Sequence, residues 1–293
     1  MANFADKDNL PLRGEQLQQH IDKALTIEMP DSWQFDVVYK LFQRIFNPVI
    51  TGRERIPDSP CIFIANHSLF ALDGWILGPV MMKEMGIFPR GMGDRFLFTN
   101  ERLADFVLSM GGVMGHPDVC DALMENGEDI LVFPGGAHEA VKPARQMYTL
   151  QWRERYGFVR LAAKHGYTIQ PFGIVGPDEF YDHLIEGEEL PDSALGPILR
   201  RLGLLTENTR PDMMPPLPLG ALGTLLPKPQ RCYIGFAEPL DLAQYQGRKL
   251  GKRQLHSIRE DVAARIEQEL SALLLLREQR RRHDGILRRV LTL

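Results

Sequence analysis

Short apolar runs alternate with helical stretches along most of this chain, and this alternation restricts the fold more than any other feature of the sequence. Strand-like runs lie at residues 61–65, 130–133, 168–175 and 231–236. Helical periodicity lies between them, at residues 74–85, 102–110, 118–126 and 149–165. Short apolar strands separated by helices are typical of a sheet that is buried on both faces. The sequence therefore predicts a single α/β domain with a mostly parallel central sheet flanked by helices.

The predicted α/β region extends over residues 49–250, and the N-terminal part of the chain differs from it. Residues 1–48 are predicted to form a loose arm and an amphipathic helix, because Ser32 can cap a helix and apolar residues recur every four positions from Trp33 to Ile45. We expect this apolar stripe to pack on the core; a membrane-docking helix is the alternative. Within the α/β region, residues 187–229 are rich in Pro, Leu and Gly and are predicted to form an irregular insertion.

Residues 251–293 are predicted to form a C-terminal helix followed by a basic tail. Apolar residues keep a helical spacing from Leu255 onward. After Arg277 the chain becomes basic: residues 277–293 hold six arginines against one glutamate and one aspartate, a net charge of +4. Basic and apolar residues together suit an anionic membrane surface. A solvated helix whose leucines pack on the body of the protein fits the pattern equally well.

A histidine and an aspartate follow the first strand-like run, in the sequence Asn-His-Ser-Leu-Phe-Ala-Leu-Asp at residues 66–73. If Asp73 binds one ring nitrogen of His67, the other nitrogen can remove a proton from a substrate hydroxyl group. This pattern predicts His67 and Asp73 as catalytic residues, with Asn66 and Ser68 as neighbouring substrate contacts. The alternative is that Asp73 caps the following helix and that His67 is a loop histidine without a catalytic role.

A glycine pair follows the second strand-like run, in the sequence Val-Phe-Pro-Gly-Gly-Ala-His-Glu at residues 132–139. Gly135 and Gly136 allow backbone N–H groups to approach an oxyanion or a phosphate closely. His138 and Glu139 add polar side chains to the same loop. We therefore expect these four residues to contact substrate, whereas a plain Gly-Gly turn is the alternative.

A third glycine-rich segment occupies residues 111–118, with the sequence Gly-Gly-Val-Met-Gly-His-Pro-Asp. It precedes a predicted helix that Asp118 can cap, and helix N-termini attract anions. Gly115 and His116 are therefore further candidates for substrate contact. A simple glycine-rich turn is the alternative here too.

Several classes of site are excluded by what the sequence lacks. It contains no G-x-S-x-G nucleophile elbow, no phosphate-binding P-loop and no H-E-x-x-H motif. The three cysteines, Cys61, Cys120 and Cys232, are far apart, which argues against a disulfide framework or a zinc site. We therefore predict neither a bound metal nor a covalent nucleophile. The net charge of −4 gives no indication of nucleic-acid binding.

The sequence also restricts where the protein is expected to act. Residues 1–25 are polar and charged and lack the apolar core of a signal peptide. No apolar run reaches the length of about 18 residues that a membrane-spanning helix needs. We therefore expect a cytoplasmic protein whose contact with the inner face of the membrane is peripheral.

Taken together, the motifs resemble those of the glycerolipid (lysophospholipid) acyltransferase superfamily. The blocks at residues 66–73, 111–118 and 132–139 look like the superfamily's blocks and occur in the same order. Residues 155–172 are similar to a segment of the diacylglycerol acyltransferase branch, with Gln170 in place of a valine. The resemblance covers residues 50–240 and implies a glycerol-3-phosphate acyltransferase-like fold.

The resemblance also implies a reaction. His67, aided by Asp73, would deprotonate the hydroxyl group of a lipid acceptor, which then attacks an acyl thioester directly. N–H groups near Gly135 and Gly136 would stabilise the oxyanion that forms. Acyl-CoA or acyl-carrier protein would be the co-substrate, and no cofactor is implied. A thioesterase-like hydrolase and a catalytically inactive lipid-binding protein are the alternatives.

Two departures from the superfamily's pattern bear on this expectation. Five residues separate His67 from Asp73, where four are usual, so the loop between them must bulge. Gly135 replaces the usual glutamate after Phe-Pro, and His138 stands where an arginine is often found. Members of the superfamily with phosphorylated acceptors tend to keep that glutamate and arginine. The replacements therefore favour a neutral acceptor, such as a diacylglycerol or another lipid alcohol.

Overall fold

A seven-stranded sheet forms the centre of the computed structural model, which describes residues 13–98, 100–203, 205, 210 and 213–292. The strands of the described residues are β1 (Val49–Thr51), β2 (Cys61–Ile64), β3 (Arg90–Gly93), β4 (Gly112–Met114), β5 (Ile130–Val132), β6 (Thr168–Val175), β7 (Asp182–Ile185), β8 (Leu217–Leu219) and β9 (Tyr233–Phe236). The order across the large sheet is β1-β9-β6-β2-β5-β3-β4. Its neighbouring strands are parallel except for the pair β6 and β9. The predicted mostly parallel sheet is therefore confirmed.

Helices cover both faces of this sheet, as the sequence predicts. The helices of the described residues are α1 (Gly14–Thr26), α2 (Trp33–Phe46), α3 (Leu72–Val80), α4 (Glu101–Ser109), α5 (Pro117–Glu125), α6 (Gly136–Ala140), α7 (Gly157–His165), α8 (Gly196–Arg201), α9 (Lys252–Arg281) and α10 (Ile286–Leu291). Alternate residues of β2 point to opposite faces. Ile62 and Ile64 pack in one cluster with α5, α7 and α9, whereas Phe63 packs in another with α3. A strand buried on both sides needs apolar residues at every position, which explains the continuous apolar runs.

The long helix α9 supports the sheet from one side. Its buried residues lie at the helical spacing seen in the sequence: Leu255, Val262, Ala263, Ile266, Leu270 and Leu273. The helix packs closely on β6, where a Cβ atom built on Gly173 would lie only 3.2 Å from Leu270. Glycine at this position therefore lets the helix and the strand approach each other.

The apolar stripe of α2 does not pack as we expected. Trp33, Val37 and Leu41 are exposed over 71%, 55% and 51% of their surface. The helix instead buries Phe35 and Phe46, which lie on another of its faces. The four-residue repeat therefore marks the outer surface of the helix. Residues 14–26, between the arm predicted for residues 1–14 and α2, form the helix α1; residues 1–12 lie outside the described residues.

Other elements differ from the sequence prediction for local reasons. Strands β3 and β4 were not predicted because glycine occupies half of β3 and begins β4, and glycine is uncommon in strands. The helix predicted over residues 149–165 is limited to α7 (Gly157–His165), and Trp152, just before it, is fully buried in the core. The residues that precede α7, including Trp152, therefore pack against the core without forming a helix.

The predicted insertion at residues 187–229 is only partly irregular. Its described residues contain the short helix α8 and the strand β8, which pairs antiparallel with β7. Residues 204, 206–209 and 211–212 of this segment lie outside the described residues. None of the helices in the described part of the chain combines the length and the apolar content needed to cross a bilayer.

Shortening a buried side chain of α9 should destabilise the whole domain. Ile266 is fully buried between α9 and the sheet, so Ile266→Ala leaves a cavity and should lower the free energy of unfolding by about 2–5 kcal/mol. Leu275→Ala, on the same helix but 62% exposed, should change it by less than about 1 kcal/mol. Urea unfolding followed by circular dichroism measures both, and equal losses would contradict the packing described for α9.

Candidate functional site

The predicted pair of His67 and Asp73 is in direct contact. His67 follows β2, whose neighbours in the sheet are β5 and β6, and Asp73 lies in the first turn of α3. The His67 Nδ1 atom is 2.9 Å from Oδ2 and 3.1 Å from Oδ1 of Asp73. Asp73 is 1% exposed and His67 8% exposed. A buried carboxylate bound to Nδ1 fixes the ring with its proton on that nitrogen and leaves Nε2 to accept one.

The five-residue spacing between the two residues is accommodated by a bulged turn. Leu69–Ala71 form a single 3₁₀ turn, and Phe70 and Ala71 both have left-handed backbone angles, with φ values of 56° and 59°. Such angles cost of order 1–3 kcal/mol each for residues other than glycine. The surrounding contacts must therefore offset this strain, and the extra residue does not separate the carboxylate from the ring.

The N-cap of α3 is Ala71, not Asp73 as the alternative interpretation had it, but the Asp73 carboxylate binds backbone N–H groups at the start of this helix. Its Oδ1 atom accepts the N–H of Gly74 at 2.7 Å, and its Oδ2 atom accepts the N–H of Ser68 at 2.6 Å. The N–H of Asp73 in turn donates to Oγ of Ser68 at 3.0 Å. Asp73 therefore binds the histidine and closes the turn with the same carboxylate. Ser68 is 1% exposed and completes this turn, in contrast to the predicted substrate contact.

The ring of His67 is also held by an aromatic neighbour. It stacks on Phe133, which follows β5, with 4.3 Å between ring centroids and 7° between planes. The Nε2 atom has no hydrogen-bond partner among the described residues. Asn66 holds the loop from the other side, because its side chain exchanges two hydrogen bonds with the backbone of Ile174 at 2.9 and 3.0 Å. Its amide is therefore a bridge to β6, where we had predicted a substrate contact.

The side chain of Glu139 is buried next to the backbone of His67 and is not exposed at the protein surface. Its Oε1 atom accepts the backbone N–H of His67 at 2.9 Å, while Oε2 is buried without a hydrogen-bond partner among the described residues. Desolvation by burial raises the pKa of this carboxyl to about 7, against the weaker opposing effect of the His67 N–H. The side chain of Glu139 is fully buried and holds the backbone of the loop at His67; its contact with substrate stays a prediction.

The side chain of Glu139 fills the space that a side chain at residue 135 would need. A Cβ atom built on Gly135 would lie 1.7 Å from Oε2 of Glu139 and 2.4 Å from its Cβ atom. No side chain fits at residue 135 while Glu139 keeps this position. The glycine that replaces the usual glutamate of the superfamily's pattern is thus required by the glutamate four residues later.

A buried ion pair that sequence reasoning missed supports the same loop. Lys142 and Asp178 lie 2.8 Å apart, and each side chain is 2% exposed. Lys142 also donates to the carbonyl oxygen of His67 at 2.5 Å, and Asp178 accepts the N–H of Leu69 at 3.1 Å. The N–H of Tyr148 binds the second oxygen of Asp178 at 3.2 Å. The charged side chains are 36 residues apart in sequence, and no motif or spacing links them.

The remaining residues of the glycine-pair loop lie beside the histidine. The N–H of Gly136 donates to the carbonyl oxygen of Phe133 at 2.9 Å, so this N–H is not available as the oxyanion donor that we expected. His138 is half-buried, and its Nε2 atom is 2.9 Å from Nη2 of Arg153. Arg155 binds the carbonyl oxygen of Pro134 at 2.8 Å. Two arginines therefore contact this loop, although the loop itself contains none.

Gly115 and His116 are not brought to the histidine. They follow β4, which is separated from β2 by β5 and β3, so three strand spacings of about 4.8 Å, or roughly 14 Å, lie between the strand ends. The N–H of Gly115 binds Gly93, and the ring of His116 caps α5 by accepting the N–H of Asp118. Both residues lie at the carboxyl edge of the sheet with the other motifs, but they have structural roles there.

The three cysteines are all buried. Burial raises the pKa of the Cys120 thiol to about 12 and raises that of Cys61 and Cys232 still further. A thiol in that state is a poor nucleophile near neutral pH. Among the described residues, no group of three or more His, Cys, Asp or Glu side chains is arranged to hold a metal ion.

Comparison with known proteins identifies relatives of this chain. The protein-family model described as Acyltransferase matches residues 47–175. Phytyl ester synthase 1, chloroplastic, of Arabidopsis thaliana is 28% identical over 249 residues, which are 79% of this chain and 35% of that protein. Diacylglycerol O-acyltransferase 2B of Umbelopsis ramanniana is 29% identical over 80 residues, 27% of this chain and 23% of that protein. This chain spans about a third of the length of the phytyl ester synthases.

A solved structure is also similar. The crystal structure of the 1-acyl-sn-glycerophosphate acyltransferase from Thermotoga maritima gives a TM-score of 0.48 with 16% sequence identity. The similarity covers 86% of this chain and 87% of that one.

The buried carboxyl of Glu139 should make the stability of the protein depend on pH. Its pKa of about 7 exceeds the ordinary value of 4.5, so the folded state binds a proton more tightly than the unfolded state. Wild type should therefore lose stability as the pH rises from about 4.5 through about 7. Glu139→Gln keeps an acceptor for the His67 N–H and does not titrate. Its stability relative to wild type should rise over that window by at most roughly 3 kcal/mol.

Urea unfolding at a series of pH values measures this difference. Glu267→Gln, at an exposed position on α9, is the matched control and should show no such trend. A difference between Glu139→Gln and wild type that stays constant with pH would contradict the burial of an ionisable carboxyl here.

Proposed function

We propose that this chain transfers a fatty acyl group from a thioester to the hydroxyl group of a neutral lipid alcohol. We take as the premise that it belongs to the glycerolipid acyltransferase superfamily and lies near its diacylglycerol acyltransferase branch. The observation that carries the proposal is the contact of the buried Asp73 carboxylate with Nδ1 of His67, which leaves Nε2 unbound. Acyl-CoA or acyl-carrier protein supplies the acyl group, and no cofactor takes part.

The reaction is a single displacement with His67 as the base. Nε2 removes the proton of the acceptor hydroxyl, and the alkoxide attacks the carbonyl carbon of the thioester. Asp73 stabilises the imidazolium that forms. The tetrahedral intermediate collapses with cleavage of the C–S bond, and the imidazolium protonates the leaving thiolate. The products are the acyl ester and the free thiol, and no acyl-enzyme is formed. This agrees with the burial and the raised pKa of every cysteine thiol.

The glycine-pair loop supports a neutral acceptor. Gly135 carries no side chain, and the only carboxylate of this loop, Glu139, is turned into the protein interior. The loop itself contains no arginine, so it lacks the charged pair that phosphorylated acceptors tend to require in the superfamily. Long-chain alcohols and diacylglycerol are the acceptors we favour. Phytol belongs in the same group, since the Arabidopsis relative is named a phytyl ester synthase.

The protein is proposed to act at a membrane surface, because both proposed substrates carry long apolar chains. The exposed stripe of α2 and the exposed arginines of the basic tail suit peripheral contact with a bilayer. Two of the tail's arginines are bound within the protein: Arg277 pairs with Glu179, and Arg288 donates to the carbonyl oxygen of Pro229. The exposed arginines at residues 280, 281, 282 and 289 are therefore the ones that can meet lipid headgroups.

Removing the base or its partner should abolish acyl transfer. His67→Ala should lose nearly all activity, and Asp73→Asn should lower the rate by about 10²–10⁴-fold, because the ring is no longer held in the reactive tautomer. His256→Ala, at an exposed histidine of α9, is the matched control and should retain full activity. Thiol release and ester formation from acyl-CoA and a lipid alcohol are followed together. Thiol release without ester would assign a hydrolase, and full activity of His67→Ala would refute the proposed base.

The identity of the acceptor should follow its charge. Purified protein with acyl-CoA should esterify diacylglycerol, phytol or a long-chain alcohol at least about tenfold faster than lysophosphatidate, because the Gly135 loop contains no arginine of its own to bind the phosphate. Product is measured by mass spectrometry at matched acceptor concentrations in mixed micelles. Equal rates for the neutral and the phosphorylated acceptors would contradict a neutral-acceptor site.

A further inference from the structure

An apolar loop in the insertion stands out from the protein surface. Residues 213–227 contain no charged residue, and within them Leu222, Leu225 and Leu226 are 77%, 75% and 69% exposed. Three large apolar side chains in one five-residue turn form a concentrated patch, which soluble surfaces usually avoid. We call residues 220–226 the leucine loop.

The backbone of the leucine loop is closed on itself. The N–H of Gly220 donates to the carbonyl oxygen of Thr224 at 2.7 Å, and the N–H of Ala221 donates to that of Leu226 at 2.8 Å. The hydroxyl group of Thr224 donates to the carbonyl oxygen of Ala221 at 2.7 Å. Each internal hydrogen bond of this kind lowers the cost of bringing backbone N–H and C=O groups into an apolar medium.

The loop is joined to the catalytic turn by two contacts. The hydroxyl group of Tyr181 donates to the carbonyl oxygen of Leu225 at 3.1 Å. The ring of Tyr181 lies edge-on to Phe70, with 6.0 Å between centroids, and Phe70 belongs to the bulged turn between His67 and Asp73. A surface that the leucine loop enters would therefore lie close to the turn between His67 and Asp73.

Positive charge lies next to the loop. Pro229, three residues after Leu226, accepts a hydrogen bond from Arg288 of α10 at 2.7 Å, and Arg231 pairs with Asp284 at 2.7 Å. Residues 280–289 hold five arginines against one aspartate, a net charge of +4. Ile286 within this segment and Val290 just after it are exposed. This arrangement matches the layers of an anionic bilayer. The uncharged apolar loop suits the hydrocarbon layer, and the basic helix beside it suits the phosphate groups above that layer.

We infer that the leucine loop inserts into the bilayer, with the arginines of α9 and α10 on the headgroups, and so holds the catalytic turn against the membrane from which the acceptor enters. This inference deepens the proposed function and rests on it for the acceptor. The membrane contact itself can be measured without any catalytic assay.

Vesicle binding tests the contact directly. Wild type should sediment with vesicles of phosphatidylcholine and phosphatidylglycerol in equal parts. Leu222→Ser with Leu225→Ser should weaken this binding at least about tenfold, because two leucines no longer enter hydrocarbon. Leu275→Ser, at an exposed leucine of α9, is the matched control and should bind like wild type. Replacing Arg280, Arg281, Arg282 and Arg289 with Gln should weaken binding to these vesicles and leave any binding to pure phosphatidylcholine unchanged.

A probe on the loop reports insertion even if a variant folds poorly. All three native cysteines are buried, so Leu222→Cys can be labelled selectively with an environment-sensitive fluorophore. Its emission should shift to the blue on vesicles and be quenched by lipids brominated along the acyl chain. The same label at residue 275 should not respond. Absence of a shift or of quenching at residue 222, or wild-type binding by the double serine variant, would overturn the inference.

Activity assays separate this inference from the proposed function. With a short-chain acyl-CoA and a water-soluble alcohol, the double serine variant should match wild type. With acceptor presented in vesicles it should be at least about tenfold slower. If wild type acylates no alcohol but its loop still inserts, the proposed function fails and the membrane contact stands. If light scattering shows that the leucines join two copies of the chain and wild type binds no vesicle, the inference is refuted.

Discussion

The carboxylate of Asp73 is the interaction on which the site depends. It is buried, and it accepts hydrogen bonds from Nδ1 of His67 and from the backbone N–H groups of Ser68 and Gly74. A buried carboxylate without such donors would be strongly unfavourable, so the turn and the histidine are stabilised by the same charge. Closure of the turn and orientation of the His67 ring therefore depend on the same carboxylate.

The segment that carries the histidine leaves the sheet after β2, and side chains replace the strand contacts it gives up. Four side chains bind its backbone: Glu139 accepts the His67 N–H, Lys142 donates to the His67 carbonyl, Asp73 accepts the Ser68 N–H, and Asp178 accepts the Leu69 N–H. Buried backbone groups need such partners. Because all four side chains are buried, none of them can move without leaving a backbone group of this segment unpaired. These contacts fix the position of the His67 backbone.

The sequence predicted the parts of the fold that depend on local pattern. Apolar runs identified β2, β5, β6 and β9, because a strand buried on both faces must be apolar throughout, and the spacing of leucines identified α9. Strands β3 and β4 were not predicted, because their glycines weaken the sequence pattern that is typical of a strand. The stripe of α2 was assigned to the wrong side, since a helical repeat shows that a face is apolar and does not show what it meets. The exposure of Trp33 and Val37 is a property of the tertiary structure alone.

The candidate site, like the fold, could be predicted from the sequence only in part. The pairing of His67 with Asp73 could be predicted because both residues lie in one short motif. The roles of Glu139, Lys142 and Asp178 were not, because each acts on a backbone group that only the fold brings near. Gly135 shows why this matters for specificity. Its replacement of a glutamate first indicated a lost charge, whereas the structure shows that the carboxyl of Glu139, four residues later, fills the space beside Gly135 and accepts the His67 N–H. The only carboxylate of residues 132–139 is therefore buried against the backbone of His67, and this loop presents none at its surface.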